Sequence, residues 1–322
     1  KSTIYDECDV VGINYNLGIY DTVHKMHPNK PVFASECCAT GTTRDWNFDT
    51  DTNGRIRDKD RDTNSWFRGR EKTYKFLRER PYVFGCYQWA AVEHRGEAAW
   101  PRVCSASGAL DLFLQKKGAF YQNKSHWTEE PMAHIVPHWN FKGLEGTEIP
   151  VTVYTNCEEL ELFLNGISLG RKQIEKYGHG EWSVKYAAGT LEVKGFNVGK
   201  EVCGDKRVTT GRPAALKLTK DNDFTANGND IALFTCDCVD ENGLTVPDAA
   251  EYVRFSVSAP AKIIGTGSDN CDHNNVANTE RKMYMGKIRI AIKLQKGQET
   301  LTLTAVSDNC DPAMFSYILS DI

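Results

Sequence analysis

From Pro131 to its end the chain places apolar residues at alternate positions in short runs, the period expected of strands with one buried face. Val151 and Val153, then Leu160, Leu162 and Leu164, then Val184 and Tyr186, then Leu191 and Val193 carry the pattern. Asn165-Gly166 sits between two runs as a hairpin turn. This predicts an immunoglobulin-like, all-β sandwich over residues 131–210. Thr209 to Pro213 reads as a linker. A second series, through Leu216, Leu218, Ile231, Leu233, Val253, Phe255, Ile288, Ile290, Leu301 and Leu303, predicts another sandwich over 213–322.

Residues 1–130 follow a different rule. Three apolar runs, at 9–16, 31–38 and 82–89, end in polar, acidic or aromatic residues and read as buried parallel strands. Tyr20 to Met26 and Ser65 to Arg80 have helical spacing, the second stopped by Pro81. Lys116 to Trp127 reads as a last amphipathic helix. Strand, helix and strand at this spacing make β/α steps. Closing such a sheet takes about eight strands, so the expected fold is multidomain: a partial (β/α)8 TIM-barrel remnant over 1–130, then the two sandwiches. The chain has no starting methionine and runs straight into a strand-like pattern, which reads as an excised C-terminal piece. The charged stretch 45–64 is expected to be a solvated loop.

Composition narrows the functional classes. With 39 basic against 43 acidic residues the net charge is -4, which favours neither nucleic acid nor an anionic membrane surface. No apolar run approaches a membrane span. The 11 cysteines form no C-x-x-C motif, and Cys236 and Cys238 share one strand face. Free thiols in a reducing, cytoplasmic compartment fit this better than disulfides or zinc. No motif asks for a cofactor or a metal. His24, His27, His126, His134 and His138 lack ligand spacing and read as surface or packing residues. Asp269, Asn270, Asp272, Asn274 and Asn275 read as a polar turn rather than a calcium loop. Trp139 and Trp182 read as buried packing against the barrel rather than a sugar-stacking platform.

The chemistry sits at strand ends. The run Pro31-Val-Phe-Ala-Ser-Glu36 lifts a carboxylate out of the sheet where catalytic groups gather in a β/α barrel. Alone, it fits a solvated glutamate after a core strand better. Two other strand ends converge on it, Asn14-Tyr15 and Trp89. A tyrosine hydroxyl can hold a carboxylate ionised, and an indole face stacks on the apolar side of a sugar. Glu93 and Glu97 lie in the loop after the last strand and read as loop-ordering ion pairs.

Gly12-Ile-Asn-Tyr15, Pro31 to Glu36, the strand ending in Trp89, Arg95-Gly-Glu97, Trp100-Pro101, Pro137-His-Trp-Asn140, Gly143-Leu-Glu-Gly146 and Glu161 to Gly166 occur in this order. Together they resemble the C-terminal part of glycoside hydrolase family 2, β-galactosidase type. The resemblance implies that Glu36 is the nucleophile of a retaining exo-β-glycosidase acting on terminal β-D-galactosyl residues. It implies that Asn14, Tyr15 and Trp89 contact the sugar, Trp89 as its floor. Where relatives carry Asp-Tyr before Arg-Gly-Glu, this chain has Glu93-His94. The family's acid/base glutamate follows an asparagine, and no Asn-Glu pair occurs here, so the 322 residues alone are expected to be inactive. A β-glucuronidase would need cations for the uronate, and no Asn-x-Lys occurs in the loop 90–101 that directly follows the last strand; β-mannosidase specificity stays open. Carbohydrate-binding or spacer roles for the sandwiches are the non-enzymatic alternative. The open sheet edges are expected to favour a homo-oligomer.

Overall fold

The computed structural model describes residues 4–319, which divide into two compact units, Lys1–Arg207 and Val208–Ile322. The first unit opens with β1 (Val11–Asn14), α1 (Tyr20–Met26), β2 (Val32–Cys37), α2 (Arg70–Arg78), β3 (Val83–Gln88) and α3 (Gly118–Trp127). The three strands form one sheet in the order β1-β2-β3, with both pairings parallel. Val11, Ile13, Val32 and Ala34 bury one face with Tyr20 and Val23 of α1 and Tyr74 and Leu77 of α2.

The third run had been expected as a buried strand, and the structure corrects this. β3 pairs on one side only, and its Phe84 and Tyr87 are exposed beside Phe33 of β2. Apolar composition does not reveal whether a partner surface covers it. The second helix begins at Arg70 rather than Ser65, because Asn64 caps the turn at Trp66 and Phe67 with its side-chain oxygen.

The acidic stretch before α2 is not plain surface. Asp60 is buried at the helix start, and its two oxygens accept the backbone N–H groups of Arg70 and Glu71 at 2.9 and 3.1 Å. Asp58 does the same for α3, accepting the Gly118 N–H at 2.9 Å. These are the orphan donors of a helix N-terminus, where the helix dipole also favours negative charge. Both approaches need glycine: a Cβ on Gly69 would meet the Asp60 carboxylate at 2.8 Å, and one on Gly118 would meet Asp58 at 3.1 Å. Asp58 is fully enclosed, and burial pushes its carboxyl above the usual range against the pull of Lys117. Arg44 and Asp111 pair at 2.8 Å nearby, both buried.

The rest of the first unit is β4 (Ala133–Val136), β5 (Glu148–Thr155), β6 (Glu159–Leu164), β7 (Ile167–Gln173), β8 (His179–Lys185), β9 (Thr190–Asn197) and β10 (Lys200–Val208). They make two antiparallel sheets, β4-β5-β8 and β10-β9-β6-β7. Ile149, Val151 and Val153 of the first meet Leu160, Leu162, Leu191 and Val193 of the second in one core. Trp139 and Trp182 lie inside that core, with the Trp139 indole N–H on the Ala187 carbonyl. Burial closes both to a sugar face, and they pack within their own sheets' core rather than against a neighbour. Asn165 and Gly166 both take positive φ, 52° and 80°, the pairing that a type I′ turn between β6 and β7 requires.

His179 at the start of β8 joins these sheets to α2. Its Nδ1 meets Glu71 at 2.5 Å and its Nε2 meets Glu181 at 2.7 Å, while Lys59 and Lys75 hold the same carboxylates. Burial opposes charge on His179, but bonds from the two glutamates outweigh it and raise its pKa. Burial likewise opposes charge on Glu71, yet His179 and Lys75 hold it down at about 2.

The second unit contains β11 (Ala215–Lys220), β12 (Ile231–Val239), β13 (Tyr252–Val257), β14 (Lys262–Gly267), β15 (Glu280–Lys282), β16 (Lys287–Lys293), β17 (Thr300–Val306) and β18 (Ala313–Ile318). Its sheets, β11-β12-β16-β14 and β15-β13-β17-β18, enclose Phe234, Ile288, Ile290, Ile292, Val253, Leu301 and Leu303. The polar segment at 269–275 forms turn hydrogen bonds, and Asp272 pairs with the buried Arg281 at 2.5 Å. All 11 cysteines are free thiols.

Two stability outcomes follow from the first unit. Asp60→Ala strips the cap from α2 and is expected to cost about 1–3 kcal/mol in denaturant unfolding. Asp58→Ala should be costly for the same reason at α3. The His179 cluster gives a pH window. The raised His179 contributes fully below about pH 6.5 and loses its contribution as pH rises through its higher folded value; the depressed Glu71 contributes fully above about pH 4.5 and loses it as pH falls toward 2. The wild-type thermal midpoint minus that of His179→Ala should therefore be largest between these limits, and a pH-independent difference would contradict the assignment.

Candidate active site

Glu36 stands near the C-terminal end of β2, in register with Asn14 of β1. The chain turns sharply just beyond β1. Tyr15 has φ 54°, and this left-handed step brings its ring back toward β2. Its backbone N–H donates to the Glu36 carbonyl at 2.8 Å, and its hydroxyl donates to Glu36 Oε2 at 2.9 Å. Burial first, then the hydrogen bond to Glu36 and the charge of that carboxylate, push the Tyr15 phenol far above its usual pKa. It stays protonated, a permanent donor to Glu36. Phe67 packs edge-on against the Tyr15 ring at 4.8 Å and 76°.

Trp89 follows β3 directly and donates its backbone N–H to the Cys37 carbonyl at 2.8 Å, which ties it to the end of β2. Its indole N–H donates to Glu97 Oε2 at 3.0 Å, and His94 meets its ring edge-on at 5.6 Å. Tyr15, Glu36, Phe67, Trp89, Glu97 and Arg102 line one cleft of about 400 Å³. Asn14 is not among its lining residues; its Oδ1 accepts the Ser35 hydroxyl at 2.6 Å beside it.

Glu93 and Glu97, grouped together from the sequence, separate here. Glu93 is buried and pairs with Lys117 at 2.5 Å at the start of α3, a loop-ordering ion pair. Glu97 is 61% exposed and belongs to the cleft. Arg61, Phe67 and Arg102 were not singled out from the sequence. Arg61 lies in the charged stretch read as surface, Phe67 in residues assigned to a helix, and Arg102 directly follows the Trp100-Pro101 motif. Among the described residues no three His, Cys, Asp or Glu side chains gather as a metal site.

The cleft therefore offers a carboxylate with a fixed phenol donor, an indole, a second carboxylate and two guanidinium groups. It is equipped to take a polyhydroxylated ring. Residues 216–316 match the family described as glycoside hydrolase family 2 C-terminal domain 5, and residues 146–203 match a domain of unknown function, DUF4982. Beta-galactosidase BoGH2A of Bacteroides ovatus is 30% identical over 330 residues, covering 95% of this chain and 38% of that protein. A beta-glucuronidase of Formosa agariphila is 30% identical over 257 residues, 73% of this chain and 26% of that protein. The crystal structure of a beta-glycosidase from Bacteroides vulgatus superposes with a TM-score of 0.82 at 25% identity, covering 97% of this chain and 45% of that one. A glycosyl hydrolase family 2 member from Bacteroides cellulosilyticus gives 0.80 at 28%, covering 96% and 40%. The chain spans about two fifths of the length of such relatives. The second unit therefore carries a glycoside hydrolase family 2 C-terminal domain, and along most of its length the chain is similar to beta-galactosidases, beta-glucuronidases and a glycosyl hydrolase family 2 member.

Proposed function

We propose that these residues serve a retaining exo-β-glycosidase, a β-galactosidase in the first instance, that removes terminal β-D-galactosyl units by double displacement. The observation that carries this reading is Glu36 at the end of a parallel strand, holding the Tyr15 hydroxyl at 2.9 Å in a cleft shared with Trp89. In this reading 1–130 is the last part of a (β/α)8 barrel, and 131–210 and 213–322 are immunoglobulin-like modules.

The chemistry assigned to the site runs in two steps. The Glu36 carboxylate attacks the anomeric carbon as the leaving oxygen takes a proton from an acid, and water then opens the glycosyl ester. Tyr15 keeps Glu36 anionic and oriented by donating one charge-assisted hydrogen bond. Trp89 stacks on the apolar face of the ring. No Asn-Glu pair that would match the family's acid occurs in the 322 residues, so by themselves they are proposed to bind glycosides without turning them over.

A specific observation favours β-glucuronidase as the second reading. Arg61 and Arg102 line the same cleft, and neither forms an ion pair among the described residues. The Arg102 Nε is buried without a partner. Arg102 donates through Nη1 to the Gly54 carbonyl at 3.2 Å, and two guanidinium groups without an ion pair suit a uronate carboxylate.

Three outcomes test these assignments. In a protein that joins these residues to the family's upstream barrel strands, Glu36→Gln should lower hydrolysis of an aryl β-glycoside by at least about 10³-fold. Tyr15→Phe should lower it by about 10–100-fold, the scale of one hydrogen bond to a charged group. Retained activity in the Glu36 variant removes it as nucleophile. Arg102→Met separates the two substrates: lower kcat/KM on the glucuronide with the galactoside unchanged selects the second reading, and the reverse excludes it.

A further inference from the structure

Glu97 has a place in the cleft that the two-step chemistry does not use. Both of its contacts run through one oxygen: Oε2 accepts the Trp89 indole N–H at 3.0 Å and faces His94 Nε2 at 3.6 Å. Oε1 has no partner among the described residues, and the side chain is 61% exposed where it lines the cleft. The backbone holds it there in a left-handed turn, with φ 52° directly after Gly96.

We propose that Glu97 is a specificity-determining residue: its free carboxylate oxygen accepts hydrogen bonds from ring hydroxyls of the sugar stacked on Trp89. This rests on the glycosidase reading of the cleft and deepens it. A pyranose lying on an indole presents its apolar C–H face to the ring and its hydroxyls at the perimeter. Glu97 sits at the N–H edge of that indole, so its unused oxygen borders the perimeter of a stacked ring. A carboxylate accepts from a hydroxyl with a charge-assisted bond and has no proton to offer, so it selects sugars that present a donor there. An analogue without that hydroxyl leaves the anion unpaired, which is how polar sites reject deoxy substrates.

A purely structural role, fixing the Trp89 indole, makes a different forecast. Glu97→Gln keeps a carbonyl oxygen for the indole N–H and leaves Trp89 in place. The test measures dissociation constants of methyl β-D-galactoside and its 2-, 3-, 4- and 6-deoxy analogues for the 322-residue chain by NMR titration, with wild type, Glu97→Gln and Glu97→Asp.

The proposal expects one hydroxyl, or two neighbouring ones, whose removal weakens wild-type binding by about 10–100-fold, the scale of a hydrogen bond to a charged group. In Glu97→Gln that penalty should shrink to within about 3-fold while the other deoxy penalties stay as in wild type, with Glu97→Asp between. The set uses one sugar series, so the glucuronide counterparts are run in parallel and read by the same rule. Equal deoxy penalties in all three proteins overturn the assignment of Glu97 alone. Failure of the folded wild-type chain to bind any galactoside or glucuronide overturns the glycosidase reading, and this proposal with it.

Discussion

Two buried carboxylates organise the first unit. Asp58 and Asp60 lie two residues apart in a loop, yet each closes the N-terminus of a different helix, α3 and α2. The same segment reaches the antiparallel sheets, because the Asp60 N–H donates to the hydroxyl of Tyr154, a fully enclosed residue of β5. Helix ends carry several unpaired donors, and a buried end without partners is costly. A single loop that satisfies two such ends also sets the distance between them. The parallel sheet, α3 and β5 are thereby positioned from one short stretch of chain.

Around that anchor the charged groups divide by exposure and by task. The Glu93–Lys117 pair is sealed, and its desolvation is offset by the contact at 2.5 Å and by the Lys117 bond to the Ala106 carbonyl. The His179 group is partly open and shares its two carboxylates with two lysines, so it behaves as a network rather than a pair. In the cleft the arginines Arg61 and Arg102 make no ion pair among the described residues, and Glu36 takes a neutral phenol. Charges spent on structure are paired; those lining the cleft are largely held in reserve.

Much of this was legible in the chain. Period-two runs located β5, β6, β8, β9, β11, β12, β13, β16 and β17 but not the other strands of the antiparallel regions, and Tyr20 to Met26 matches α1 residue for residue. Glu36, Tyr15 and Trp89 were found because each ends an apolar run, a signal that position alone supplies. What escaped had no such marker. Asp58 and Asp60 look like any solvated acids among Asp49, Asp51 and Asp62, and only the proximity of Gly69 and Gly118, distant in sequence from one another, explains their burial. Arg61, Phe67 and Arg102 enter the cleft through loops, where no periodicity announces direction. The exposure of Phe84 and Tyr87 was hidden for another reason: an apolar strand reads the same whether or not a surface covers it.

Tyr15 grips Glu36 at both ends, by its main chain at the carbonyl and by its side chain at the carboxylate. The donor and the carboxylate therefore share one rigid frame. If the end of β1 drifts against β2, the phenol and the carboxylate travel together and their separation is conserved. The separation of phenol and carboxylate is decoupled from the softer breathing of the sheet edge, and a loop such as the one bearing Glu97 can shift without changing it.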